Sequence, residues 1–195
     1  MAALVAIADA YPEADDATRR RLVELVRTAA ASLDRLLTDV STATLRLSRV
    51  DLGGIARDAS EAAALGGHTV VVETEENGDA VVVGDTERLR QALDNLIGNA
   101  IGHCASGDPV AVTTRRSGTS VVVEVADQGE GISPGDLERI FEEGVRATSA
   151  RPGSGLGLAV VREVAREHGG EVEVESSPGQ GATFRLVLPA AFDAS

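Results

Sequence analysis

Two glycine clusters, each placed where a loop meets a regular element, constrain this chain more than any other feature. The first, Asp127-Gln128-Gly129-Glu130-Gly131-Ile132, follows the apolar run Val121-Val122-Val123-Glu124-Val125. The second, Gly153-Ser154-Gly155-Leu156-Gly157-Leu158, leads into an amphipathic segment. Glycine puts no side chain between a backbone N–H and an approaching anion, and the N–H groups at a helix start point outward unpaired. One such turn is weak evidence. Two of them, with an acid ahead of the first, point to a bound nucleotide.

The kind of nucleotide site is narrowed by absence. All 18 basic residues are Arg, and the chain contains no Lys. That excludes a P-loop, whose Lys meets the β- and γ-phosphates, and a eukaryotic-type protein kinase, which needs a strand Lys. A Rossmann site places its G-x-G-x-x-G directly after a strand, near the start of a βαβ unit. Here the Gly155 turn follows a loop late in the chain, and no acidic strand end follows at the right distance. The net charge of −13 argues against a nucleic-acid partner, since phosphate contacts along a duplex need a basic surface. It leaves room for ATP, which needs only a few local donors and a metal ion.

A chain of 195 residues reads as one domain with an appendage. Its hydrophobic content of 43% is ample for a core, but aromatics are only 2%, so Val, Leu and Ala must fill it. Cys104 is the single cysteine; it forms no intrachain disulfide, fits a reducing compartment, and reads as a small buried apolar group. No apolar run approaches the ~20 residues that span a bilayer. Residues Met1 to Ala10 lack a basic flank and make no convincing signal peptide. The expected location is cytoplasmic, with no membrane contact by this chain itself, although a longer form could be tethered.

In chain order, Leu4 to Ala8 reads as a helix tail ended by Tyr11-Pro12. A long helix is then expected from about Thr18 to Val50, with apolar or small residues at Leu22, Val26, Ala29, Leu33, Leu36, Val40, Ala43, Leu47 and Val50. That alternation of four and three is a heptad seam. Such a helix is ~50 Å long, too long for a small domain to cover, so its seam is expected to meet another copy or another helix. Val50-Asp51-Leu52 and Gly53-Gly54 mark a hinge, followed by a helix to about Leu65. Two strands, His68 to Glu73 and Ala80 to Val83, are joined by a turn at Asn77-Gly78. Asp85 is an N-cap for a helix striped by Leu89, Ala92, Leu93, Leu96, Ile97, Ala100 and Ile101. Asn95 and Asn99 lie one turn apart beside that stripe; Asn is a poor mid-helix residue, so the pair invites a functional role. Pro109 to Arg115 and Ser120 to Ala126 form a hairpin across Ser117-Gly118. Ser133-Pro134 with Asp136 starts a short helix through Phe141. Leu156 to His168 is the next helix, stopped by Gly169-Gly170, with His168 where the helix dipole favours a cation. Strands Glu171 to Glu175 and Ala182 to Leu188 close the chain around Ser177-Pro178-Gly179. This order gives an α+β fold, one mixed or antiparallel sheet covered by helices on one face.

These residues resemble the sensor histidine kinases. Leu93-Asp94-Asn95-Leu96-Ile97-Gly98-Asn99-Ala100 resembles their N box, Asp127-x-Gly129-x-Gly131 the first glycine box, Ile140-Phe141-Glu142 the F box, and Gly153 to Leu158 the second glycine box. His168-Gly169-Gly170 and the run from Ser177 to Phe184 fit the family's C-terminal hairpin. The resemblance covers roughly Asp51 to Pro189. It implies the Bergerat-type ATP-binding fold of gyrase, MutL and histidine kinases, a two-layer sandwich preceded here by a coiled-coil-like helix. The domains expected are a partial dimerisation region over 1–50, an ATP-binding domain over 51–190 and a tail over 191–195.

The resemblance implies ATP and Mg²⁺ as cofactors, with Asn99 as the metal ligand beside Asn95. Asp127 would accept the adenine amino hydrogen, while Gly129, Gly131 and Ile132 let the backbone pass the base. Residues 144–153 would form a lid over the phosphates. Gly153, Ser154, Gly155, Leu156, Gly157 and Leu158 would bring N–H groups against them. Arg146 matches the family's F-box arginine and either meets the phosphates or is a solvated surface residue; Arg151 is a weaker candidate. Gly102 stands where the family usually carries Lys or Arg. His103 falls where an aromatic or His stacks on adenine, and is otherwise an ordinary helix-surface residue. No His precedes His68, so the family's phospho-acceptor box is absent from this chain. Neither His68 nor His168 is a credible acceptor.

The expected function is the ATP-binding catalytic portion of a histidine kinase, a fragment or one half of a split kinase. It would transfer the γ-phosphoryl to a histidine on a partner chain or missing segment. Its partners would be a second copy or another chain through residues 18–50, a chain bearing the acceptor box, and a response regulator. The alternatives are a hydrolysing gyrase- or MutL-type ATPase, an anti-sigma-type serine kinase, and a non-catalytic ATP-binding partner. Hydrolysis is disfavoured because Asn95 stands where those ATPases carry the Glu that activates water.

Overall fold

Apolar residues alternate with polar ones along the later strands, and that period gives a sheet with one face to bury. The computed structural model describes residues 45–74, 80–104, 107–137, 139–142 and 156–192. In it β1 spans Ser48–Asp51, α1 Leu52–Leu65, β2 Val70–Thr74, β3 Val81–Gly84 and α2 Thr86–His103. Strands β4 (Val110–Ser117) and β5 (Ser120–Ala126) follow, then a 3₁₀ turn at Arg139–Phe141, α3 (Gly157–Glu167), β6 (Glu171–Ser176) and β7 (Ala182–Pro189). The main sheet runs β2-β4-β5-β7-β6, with β2 and β4 parallel and the other pairs antiparallel.

One face of that sheet carries Val112, Val121, Val123, Val125, Phe184, Leu186 and Leu188, all buried beneath the three helices. On the other face Arg185 of β7 pairs with Glu124 of β5 at 2.7 Å and Glu175 of edge strand β6 at 3.1 Å. The stripe on α2 packs inward: Leu89, Ala92, Leu93, Leu96, Ile97 and Ala100 are buried. Each large apolar side chain so covered contributes roughly 1.5–3 kcal/mol. The fold is therefore the mixed α+β sandwich expected.

Several boundaries differ from the sequence reading. The long helix does not reach Val50: Ser48–Asp51 is a strand, antiparallel to β3, with Val50 opposite Val82. The apolar side chain that ends the heptad pattern is buried in this domain's core instead. Residues 45–47 are not helical either, and Leu47 of the expected seam is exposed. The remainder of that helix, up to residue 44, and Leu4 to Tyr11 lie outside the described residues. Gly53 and Gly54 form no hinge; they sit in the first turn of α1, where Asp51 Oδ1 accepts the Gly53 N–H at 3.0 Å. Strands β2 and β3 belong to different sheets, because β2 pairs with β4 and β3 with β1. The turn between them lies outside the described residues. The helix expected before Phe141 is only a turn and a 3₁₀ segment, although Ser133 Oγ does donate to Asp136 Oδ2 at 2.7 Å. Cys104 is half-buried at the C-cap of α2 and packs on the core.

His168 also departs from expectation. Its Nε2 faces the backbone N–H of Asp85 at 2.9 Å, and its Nδ1 lies 2.7 Å from the carbonyl oxygen of Val164. A backbone N–H can only donate and a carbonyl can only accept, so Nε2 is bare and Nδ1 carries the proton.

Candidate functional site

The first glycine loop is held by strands on both sides of it. Asp127 ends β5, and its N–H donates to the Ala182 carbonyl at 2.9 Å. The residue is 7% exposed. Oδ1 accepts the N–H of Gly129 at 2.8 Å and that of Ala182 at 3.3 Å. Among the described residues Oδ2 takes no protein hydrogen bond, so one oxygen anchors the loop and the other is left for a ligand. Burial pushes the carboxyl pKa up from its ordinary value; the two N–H bonds and His103 oppose this without cancelling it.

The loop interlocks with the turn between β6 and β7. Gly179 N–H donates to the Glu130 carbonyl at 2.7 Å, and Gly181 N–H to that of Gly129 at 3.0 Å. Ser176 Oγ accepts the Ile132 N–H at 2.8 Å and donates to the Gly181 carbonyl at 2.6 Å. Gly131 and Gly181 have φ of 70° and 71°, a backbone region that other residues avoid. A Cβ at Gly131 would run into the Ser177 carbonyl, and one at Gly181 into that of Asp127. The sequence reading assigned Ser176, Gly179 and Gly181 no role at this site. The spacing of Ser176-Ser177-Pro178-Gly179-Gln180-Gly181 marks a tight turn, but nothing in it says which loop the turn will clasp.

Helix α2 supplies the opposite wall. The His103 carbonyl abuts Gly129 so closely that no Cβ fits there. The His103 ring lies 3.3 Å from Glu130 Oε1, which ties the end of α2 to the glycine loop. Asn95 and Asn99 are half-buried on α2. A methyl group in place of the Gly157 hydrogen would stand 3.1 Å from Asn95 Oδ1, so the start of α3 closes directly onto the asparagine face. Among the described residues no side chain caps that helix start, whose N-cap position is Leu156. The N–H groups of its first turn are thus available to an anion. Leu158 and Ile132 pack against the core and hold the two glycine segments to it. Phe141 meets Phe184 edge-on, with ring centroids 6.4 Å apart.

The described residues thus bring together Asn95, His103, Asp127, Gly129, Gly131, Ile132, Leu156, Gly157 and Leu158, with Asn99 one turn along α2 from Asn95. Arg146, Arg151, Gly153, Ser154, Gly155 and the expected lid at 144–153 lie outside the described residues. Gly102 is exposed, and a Cβ there would meet nothing within 4 Å. Among the described residues no group of three or more His, Cys, Asp or Glu side chains is placed to hold a metal ion. The side-chain amide of Asn99 offers one oxygen donor, a type that a hard cation such as Mg²⁺ accepts.

A family model described as histidine kinase-, DNA gyrase B-, and HSP90-like ATPase matches residues 84–191. The sensor-like histidine kinase SenX3 of Mycobacterium tuberculosis is 38% identical over 177 residues, covering 89% of this chain and 41% of the relative. The sensor protein DivL of Caulobacter vibrioides is 36% identical over 186 residues, or 87% of this chain and 23% of that protein. The chain therefore spans less than half the length of these relatives. Among solved structures, full-length ShkA in complex with AMPPNP superposes with a TM-score of 0.75 at 30% identity, covering 92% of this chain and 38% of that one. The mycobacterial sensor histidine kinase MprB gives 0.65 at 28% identity, with 74% and 97% covered. Among the described residues no helix is long and apolar enough to cross a membrane.

Proposed function

The chain belongs to the histidine kinase-, DNA gyrase B- and HSP90-like ATPase family, and from that premise we propose that it is the ATP-binding catalytic portion of a two-component sensor histidine kinase. Its acceptor is a histidine on another chain or on a segment beyond this one. The observation that carries this is Asp127: a buried residue whose carboxylate has one oxygen locked to its own loop and the other without a hydrogen bond among the described residues.

ATP supplies the phosphoryl group to be moved, and Mg²⁺ neutralises the charge around it. The residues of this chain bind and orient. The free oxygen of Asp127 accepts a hydrogen from the adenine amino group and rejects bases that lack one. Gly129 and Gly131, in a loop pinned to the Ser176–Gly181 turn, let the backbone pass close to the base. The first-turn N–H groups of α3 meet phosphate oxygens, and the amide oxygen of Asn99 is offered to the metal. Arg146 is proposed to meet the phosphates from the lid. The chemistry is mostly positioning and charge neutralisation, which suits a site without a strong base. A response regulator is the proposed downstream partner, and the cytoplasm, where ATP is available, is the proposed location of the domain.

The test uses labelled ATP with the full chain and a separately supplied helical segment bearing an acceptor histidine. Transfer to that segment is expected with Mg²⁺, and Asn99→Ala should abolish it. The chain alone should not form acid-labile phosphohistidine and should hydrolyse ATP slowly, because Asn95 is no base. Robust self-labelling at His68 or His168 would overturn the proposal. Fast hydrolysis with no transfer would assign the chain to the ATPase branch of the family.

A further inference from the structure

The start of α3 lies at the candidate phosphate site, and among the described residues no side chain caps it. Its other end is tied down twice. His168, buried at the C-cap, donates from Nδ1 within its own helix to Val164 and accepts at Nε2 from the N–H of Asp85, the N-cap of α2. Next to it the Arg88 guanidinium of α2 grips Glu167 through two bonds, Nε to Oε2 at 3.1 Å and Nη2 to Oε1 at 3.1 Å. Glu163 lies 3.6 Å from the same group. The ring has no free play: a methyl on Gly84 would stand 2.6 Å from its Cδ2.

A helix of 11 residues is a stiff rod ~16 Å long, so fixing its last turn fixes its first. The two helices are antiparallel here, with Asp85 and Arg88 beside the end of α3 and Asn95 beside its start. A slide of α3 along α2 therefore shifts the Gly157 and Leu158 N–H groups against Asn95 and Asn99 by the same amount. We propose that His168, with the Arg88–Glu167 pair, is a positioning lock that sets the axial register of α3 on α2 and thereby the phosphate end of the nucleotide site. This rests on the ATP reading above. Adenine recognition, built on Asp127 and the β6–β7 turn, does not depend on that register.

Two variants separate the two bonds of the ring. In His168→Asn the amide sits at the Nδ1 level and cannot reach Asp85, whereas in His168→Gln it reaches the Nε2 level and can accept from Asp85. Calorimetric titration of the full chain with Mg-ATP and with adenosine gives the readout. For His168→Asn the ATP Kd should rise about tenfold while the adenosine Kd stays within about twofold, and His168→Gln should restore most of the ATP affinity. A structural role alone would weaken both ligands together or neither. Equal losses for both ligands, an unchanged ATP Kd in the Asn variant, or no rescue by Gln would overturn the lock. If the Asn variant does not fold, Glu167→Gln replaces it: the same selective loss supports the lock and an unchanged ratio overturns it. A wild-type chain that binds neither ligand sinks the ATP reading itself, and the lock with it. Wild-type binding of both with an indifferent lock sinks the lock alone.

Discussion

Asp127 carries opposed demands in one carboxylate. Burial raises its folded pKa, so its contribution to stability is fullest below the unfolded value near 3.8 and is lost as pH rises through the raised one. At neutral pH its charge is a burden on the fold, held for what the free oxygen does. Asp127→Asn keeps an acceptor for Gly129 and Ala182 but turns a donor toward the adenine amino group. Its melting temperature at pH 7 should be unchanged or higher. Adenine nucleotides should weaken by on the order of 1–3 kcal/mol, with pyrophosphate unaffected; equal loss for both would count against the adenine assignment. In the wild type, acidification should weaken ADP binding starting above the pH where an ordinary Asp protonates. Thr114 is the counter-case: its buried Oγ1 finds no partner, the one such side-chain atom among the described residues. Thr114→Val should raise stability by about 1 kcal/mol in urea titration without touching nucleotide affinity. Gly102 stands in open space near the end of α2. Gly102→Arg should stabilise the helix by about 0.5–1 kcal/mol, and a gain in ATP affinity over adenosine would show that its guanidinium reaches phosphate.

At the scale of elements, the nucleotide loop and the β6–β7 turn behave as one unit stitched by three hydrogen bonds to Ser176, Gly179 and Gly181, with Ser176 Oγ also bracing the turn through the Gly181 carbonyl. Gly181→Ala strikes that unit twice, by its positive φ and by pressing a methyl onto the Asp127 carbonyl. It should abolish adenosine binding, measured by calorimetry, while α2 and α3 keep their helical circular dichroism. The sequence made the local elements readable. The hairpins β4–β5 and β6–β7 follow from turn residues between alternating strands, and α2 from its cap and stripe. Non-local choices were not readable. Nothing near Val70–Thr74 says that it will lie parallel to β4 and leave β3 to pair with β1. The same limit applies to the site. Asp127 and its glycines announce themselves, whereas Ser176 acquires a role only when β7 brings its turn against them. Gly53-Gly54 misled as a hinge because the Asp51 cap and burial beneath the sheet outweigh glycine's poor helix propensity.

For the molecule as a whole, the consequence of β1 is where the domain can be cut. The heptad pattern continues through Val50, which invites removal of everything up to that residue. Val50 is instead 5% exposed inside the core, opposite Val82, and Asp51 caps α1. Upstream of them the Arg46 N–H reaches Asp85 Oδ2 at 2.9 Å, at the cap that also meets His168. Burial works against the Asp85 charge, but the N–H groups of Arg46, Arg88 and Glu87 together outweigh it and hold the carboxyl below the ordinary range. A chain starting at residue 45 should therefore unfold in one cooperative step and bind Mg-ATP as the full chain does. One starting at residue 52 loses a buried Val, worth roughly 1.5–3 kcal/mol, and a helix cap worth about 1 kcal/mol. Its urea midpoint should fall accordingly, and the Arg46 bond goes with it. The same pair of cuts tests the upstream seam. If the association expected of residues 18–50 resides in the part upstream of residue 45, light scattering should give a lower mass for the chain starting at 45 than for the full chain at equal concentration. Equal masses would remove the dimerisation role from that segment, and equal urea midpoints for the two shortened chains would remove β1 from the domain.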